Sequence, residues 1–207
     1  MSEFIDDETY RLLEIVFRDD HPMRCLDLAV LTCKMLGLTG RDAIASVRRG
    51  ALLHDIGKAR IPSSVRHKPG RLTEREWQWM RKHCEYGAEI MQILGMNGDA
   101  TIALGHHERW DGTGYPRGLT GLDIPLAARA FAPIDVYDAL RSVRYYPRYR
   151  ADGTLWTDQV RGLTHAEAME IVVAGSGSQF DPAAVSAFAH AIILTGSEWP
   201  DARLPVD

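Results

Sequence analysis

Arg41-Asp42-Ala43-Ile44-Ala45-Ser46-Val47-Arg48-Arg49-Gly50-Ala51-Leu52-Leu53-His54-Asp55-Ile56-Gly57 decides the fold class. Its apolar residues recur at helical spacing, and its later part is apolar enough to be buried. Gly57 and Pro62 mark its end. The same periodicity extends in both directions. Residues 8–18 place Tyr10, Leu13, Val16 and Phe17 on one face, and residues 22–37 do so with Cys25, Leu28, Ala29, Thr32, Met35 and Leu36 before a stop at Gly37. Downstream, Pro62, Pro69 and Gly70 read as a loop over 59–72. Thr73-Glu74-Arg75-Glu76 is a capping box that opens a helix running through Trp77, Met80 and His83 towards Leu94.

Further helices are predicted over 99–108, 125–142, 165–174 and 182–195, the last begun by Asp181-Pro182. Asp111-Gly112-Thr113-Gly114-Tyr115-Pro116 is too rich in glycine for regular structure. Residues 145–163 lack periodicity and read as an excursion. Strand signals are weak, and no repeat or linker is visible. The expected fold is therefore all-α, a single-domain helical bundle. A lead-in over 1–14 precedes the domain at 15–196, and a tail over 197–207 follows.

Composition narrows the function classes. The chain has 207 residues, 45% hydrophobic and 25% charged, which suits one domain with a real core. No apolar run is long enough to span a bilayer, and the acidic start Met1-Ser2-Glu3-Phe4-Ile5-Asp6-Asp7 does not read as a signal peptide, so a cytoplasmic protein without a membrane partner is expected. A net charge of −4 argues against DNA or RNA as partner, which needs a basic footprint. Cys25, Cys33 and Cys84 form no C-x-x-C pair, so they read as buried or neutral thiols and not as a disulfide framework or a thiolate zinc site.

Chemistry concentrates in four groups. His54-Asp55 and Lys58 end the buried helix, where charged residues need a partner or a metal. His106-His107-Glu108 is followed closely by Asp111, and paired imidazoles suit divalent transition metals. Asp135 and Asp138 stand i, i+3 in an apolar helix and face one way. His83 lies four residues before Gly87, and His21 opens a helix. His67, His165 and His190 have no acidic or histidine neighbour and read as surface or core residues.

In this order the groups resemble the HD-GYP domain, a branch of the HD superfamily of metal-dependent phosphohydrolases. The resemblance rests on His54-Asp55-Ile56-Gly57-Lys58, Lys68-Pro69-Gly70-Arg71-Leu72-Thr73, His83-Cys84-Glu85-Tyr86-Gly87 and Asp135-Val136-Tyr137-Asp138-Ala139-Leu140. Its most specific segment is His106-His107-Glu108-Arg109-Trp110-Asp111-Gly112-Thr113-Gly114-Tyr115-Pro116. It implies a bacterial signalling hydrolase that opens a cyclic dinucleotide, cyclic di-GMP first, to linear pGpG or GMP. The implied metal ligands are His21, His54, Asp55, His83, His106, His107 and Asp135, with Asp55 bridging two ions. Iron or manganese is implied in preference to zinc. Lys58 would contact the scissile phosphate, and Asp111, Gly114 and Tyr115 would line the substrate site. Arg144 and Arg148 would hold phosphates.

Two departures refine this. Members with a third metal carry a Glu one turn before the first metal His, where this chain has Phe17, so two divalent ions are expected. The second phosphate-binding position falls on Pro147, with Arg148 beside it. The alternatives are a catalytically weak HD-GYP module acting through interaction, and a phosphohydrolase of another nucleotide. Only about 15 residues precede the resemblance, so regulation is expected from a partner protein, a homodimer or a region outside this sequence.

Overall fold

A computed structural model describes residues 20–68, 70–96, 98–142 and 162–196, together with Leu12 and Ile15. Most of the helix predicted over 8–18, the excursion from 145 to 161, the tail from 197, and Phe17, Arg144 and Arg148 lie outside the described residues. Among those described, the architecture is all-α. The helices are α1 His21–Met35, α2 Arg41–Leu53, α3 Ser63–Arg66, α4 Glu74–Arg81, α5 His83–Ile93, α6 Ala100–Gly105, α7 Leu126–Arg141, α8 His165–Ala174 and α9 Pro182–Thr195. Two 3₁₀ turns, Ile56–Arg60 and Gly121–Asp123, join them, and a single isolated bridge pairs Ser176 with Phe180.

Local chemistry explains most boundaries. Gly37 takes φ +91° just after α1, as expected of a C-terminal glycine. Thr73 and Glu76 form the full capping box of α4, and Thr164 with Glu167 repeats it at α8. The Asp181 side chain accepts from the Ala183 N–H at 2.8 Å and caps α9. The core lies where α1, α2, α7, α8 and α9 meet, around Leu28, Phe131, Ile134, Tyr137, Val172, Phe180 and Phe188. A smaller cluster of Ile56, Ile90, Met91 and Ala103 sits under the 3₁₀ turn. Among the described residues no helix is long and apolar enough to cross a membrane.

Two predicted helices end earlier than their periodicity suggests and a third is interrupted, and one cause serves all three. A helix leaves its last carbonyls without backbone donors. α2 stops at Leu53, and His54 Nδ1 donates to the Ala51 carbonyl at 2.8 Å. α6 stops at Gly105, and His106 Nδ1 donates to Ile102 at 2.9 Å and Ala103 at 3.1 Å. The helix expected to run unbroken to Leu94 divides at Lys82, where His83 Nδ1 donates to Met80 at 2.7 Å. In each case an imidazole takes a carbonyl that a continuing helix would have used. These bonds fix the Nδ1–H tautomer and leave each Nε2 lone pair facing inward.

Candidate metal centre

The inward nitrogens converge. His21 Nε2 lies 3.3 Å from His54 Nε2 and 3.1 Å from Asp135 Oδ1. His54 Nε2 is 3.4 Å from Asp55 Oδ2 and 3.8 Å from Asp135 Oδ1. On the other side of Asp55, His83 Nε2 is 3.5 Å and His106 Nε2 is 3.9 Å from Oδ1. These two nitrogens are 3.4 Å apart. The His107 ring lies 4.1 Å from His106 and 5.0 Å from His83, centroid to centroid. Asp55 thus stands between two histidine groups, one carboxylate oxygen towards each. All seven residues expected from the sequence as ligands come together.

The donor set passes a test of fit to divalent metal. Asp55 Oδ1 is buried and has no hydrogen-bond partner. A buried carboxylate oxygen left so is costly unless a cation satisfies it. Lone pairs of His83 and His106 pointed at one another at 3.4 Å are similarly unfavourable without a positive centre. Imidazole and carboxylate are ligands that divalent transition ions accept.

Electrostatics prepare the ligands in their metal-binding forms. Burial, reinforced by the neighbouring histidines, pushes His83 and His106 down and lowers His107 to about 3. Burial opposes a charge on Asp55, yet Lys58 and His54 outweigh it and hold the carboxyl well below the usual range. Asp135 behaves alike: burial opposes, and His21 and His54 prevail. His21 is the exception. Burial disfavours its imidazolium, but Cys25, Asp135 and Asp138 raise it.

A pH dependence follows for metal-free protein. Unfolded chain protonates His83, His106 and His107 near pH 6.5, whereas the folded chain keeps them neutral. Stability should therefore fall as pH drops from about 7 to 5, because the unfolded state binds more protons. His21 works the other way, because only the unfolded chain loses its proton above about pH 6.5, but one such group opposes three. Chemical denaturation of chelator-treated protein at pH 7 and pH 5 measures this; equal stabilities would contradict the buried neutral histidines.

His21 is oriented by a residue that the sequence flagged without assigning. Its Nδ1 meets Asp138 in a short contact, and Asp138 in turn accepts from Arg24 Nε at 2.8 Å and Nη2 at 2.9 Å. Asp135 and Asp138 therefore divide the two nitrogens of one imidazole. Asp138→Asn is expected to weaken metal binding at the His21 side about 10–100-fold, as measured by competition with a chromophoric chelator. Unchanged affinity would remove Asp138 as the orienting group.

The remaining expected site residues group around the centre. Lys58 makes a short ion pair with Asp55 Oδ2. Tyr115 stacks on His107 at 4.8 Å between centroids, with the Arg81 guanidinium 5.6 Å from its ring. Gly114 passes so close to the preceding turn that a Cβ would sit 2.3 Å from the Arg109 nitrogen. Asp111 accepts from Arg109 and from both the N–H and hydroxyl of Thr113, and so shapes the loop. Glu108, grouped in the sequence with the histidines, is buried and accepts from the Arg117 and Leu119 N–H groups at 2.8 and 3.0 Å. It holds the loop and faces away from metal duty.

Comparison with known proteins gives the family and the fold. Residues 10–184 match the family model of the HD domain. A cyclic di-GMP phosphodiesterase of Vibrio cholerae is 45% identical over 148 residues, covering 68% of this chain and 27% of that protein. A probable cyclic di-GMP phosphodiesterase of the same organism is 37% identical over 198 residues, covering 91% of this chain and 41% of its own length. The chain thus spans less than half the length of these curated relatives. Among solved structures, a cyclic GMP-AMP specific phosphodiesterase of V. cholerae superposes with a TM-score of 0.65 at 19% identity, covering 94% of this chain and 50% of that one. At that identity the likeness speaks for the fold.

Proposed function

This chain belongs to the HD-domain family, in its HD-GYP branch, and we propose that it is a metal-dependent phosphodiesterase that opens a cyclic dinucleotide, cyclic di-GMP first. The observation that carries this reading is Asp55, set between two histidine groups with one buried oxygen unpartnered. His21, His54, Asp135 and Asp55 Oδ2 would hold one ion, and His83, His106, His107 and Asp55 Oδ1 the other. When bound, such a pair supplies a water of lowered pKa and positive charge for the phosphate.

The chain's own groups do the rest. Lys58, beside Asp55, presents an ammonium where phosphate charge builds up. Tyr115, braced on His107, offers a flat wall for a nucleobase, and the close turn at Gly114 sets its position. Asp111 contributes through the loop that it shapes. Arg144 and Arg148 complete the phosphate contacts in this reading, from outside the described residues. The family resemblance puts iron or manganese ahead of zinc, and imidazole and carboxylate donors accept either ion. A cytoplasmic setting and control by a partner protein or homodimer belong to the same reading.

The experiment is an assay of anaerobically purified, metal-counted protein with cyclic di-GMP, cyclic GMP-AMP and mononucleotides, supplied with iron(II) or manganese(II). Linear dinucleotide or GMP should appear from cyclic di-GMP. Turnover of none of the cyclic substrates by metal-replete protein would overturn the proposal. Turnover of cyclic GMP-AMP alone would keep the reaction and change the substrate.

A further inference from the structure

Arg81 is the last residue of α4, two positions before His83. The helix breaks at Lys82, where His83 Nδ1 donates to the Met80 carbonyl at 2.7 Å, so Arg81 leaves α4 beside the centre. Its guanidinium carbon lies 5.6 Å from the centroid of the Tyr115 ring. Tyr115 in turn stacks on His107 at 4.8 Å and stands edge-on to His83 at 6.4 Å. A guanidinium over an aromatic face is attracted by the ring and held in place. Arg81 is thus an exposed cation fixed to the wall of the centre. The neighbouring cations are already engaged: Lys58 pairs with Asp55, Arg24 with Asp138 and Arg109 with Asp111. Among the described residues no carboxylate pairs with Arg81. An aromatic ring neutralises no charge, so this cation remains available to an anion.

We infer that Arg81 is a substrate-binding residue, donating its N–H groups to the phosphate of a cyclic dinucleotide that is not being cut. The inference rests on the reading above that this centre opens such a substrate. A cyclic dinucleotide carries two phosphates in one ring, and the metal pair with Lys58 serves the one that reacts. The other needs a cation in the wall of the site, and a guanidinium meets two phosphate oxygens at once. Holding that group on Tyr115 beforehand lowers the entropy lost on binding. The contact adds to those that the reading gives to Arg144 and Arg148.

The next residue supplies a control. Lys82 is equally cationic and exposed, but its ammonium lies 5.5 Å from the Trp79 ring and not over Tyr115. Neutralising either residue removes one positive charge, so only position separates them.

Steady-state kinetics of the metal-replete full chain with cyclic di-GMP and cyclic GMP-AMP test this. Arg81→Gln should raise KM about tenfold for whichever cyclic dinucleotide the wild type opens, with kcat within about twofold. A contact made equally before and in the transition state changes KM alone. Lys82→Gln should keep KM within about twofold. Arg81→Lys, which keeps the charge and loses the planar fork, should fall between wild type and Arg81→Gln. The gap between wild type and Arg81→Gln should narrow as salt rises from ~0.05 to ~0.5 M. Metal content and melting temperature of the variants should match wild type, which removes loss of the centre or of the fold as the cause. An unchanged KM in Arg81→Gln, or an equal rise in Lys82→Gln, would overturn the inference and leave the phosphodiesterase standing. So would a fall in kcat without a rise in KM. Turnover of no cyclic dinucleotide by the wild type would overturn both.

Discussion

Asp55→Ala should abolish the occupancy of both metal positions and lower turnover of a cyclic dinucleotide by at least about a thousandfold. The expectation follows from placement. Asp55 Oδ2 faces His54 and Lys58 while Oδ1 faces His83 and His106, so one side chain belongs to both halves of the centre. Its removal leaves each half with imidazoles whose lone pairs point together. On the first side only Asp135 remains as counter-charge, and on the second none remains among the described ligands. The check is metal analysis of the purified variant, with circular dichroism to show that the helices persist. A variant that keeps two ions per chain, or keeps turnover, would remove Asp55 as the bridge.

Gly57→Ala should cost about 3 kcal/mol and lower the melting temperature by roughly 6–12 °C. A Cβ at Gly57 would lie 1.9 Å from the His83 carbonyl oxygen and 2.4 Å from the Gly87 nitrogen. Both are backbone atoms of α5, so no rotamer change relieves the contact. The 3₁₀ turn that carries Lys58, with Asp55 capping its start, would have to move away from the helix that carries His83. Metal affinity should fall with stability, because the two halves of the centre are hinged on that contact. Gly98→Ala, where a Cβ meets nothing within 4 Å, should stay within about 0.5 kcal/mol. Thermal unfolding of the two variants side by side reads the difference. Equal melting temperatures would contradict the close approach.

Much of this was legible in the chain, and the physical reasons for the rest are specific. Helical periodicity at 22–37, 41–57, 125–142 and 182–195 is a local property, and the structure has α1, α2, α7 and α9 there. The breaks at His54, Lys82 and His106 are not local. They arise because an imidazole turns back onto a carbonyl so that its other nitrogen can meet residues far along the chain. Asp135 and Asp138 are equivalent by spacing; only the placement of the His21 ring tells a ligand from its orienting partner. Glu108 follows two site histidines in sequence, yet its carboxylate serves amides nine and eleven residues away.

A pair of ions shared through Asp55 is what the proposed cyclic dinucleotide phosphodiesterase activity requires. Its most direct test is turnover of cyclic di-GMP by metal-free protein as iron(II) or manganese(II) is added anaerobically in known equivalents per chain. No product should form without metal, and the rate should keep rising until two equivalents are bound. A rate complete at one equivalent, or no linear product with both positions filled, would contradict it.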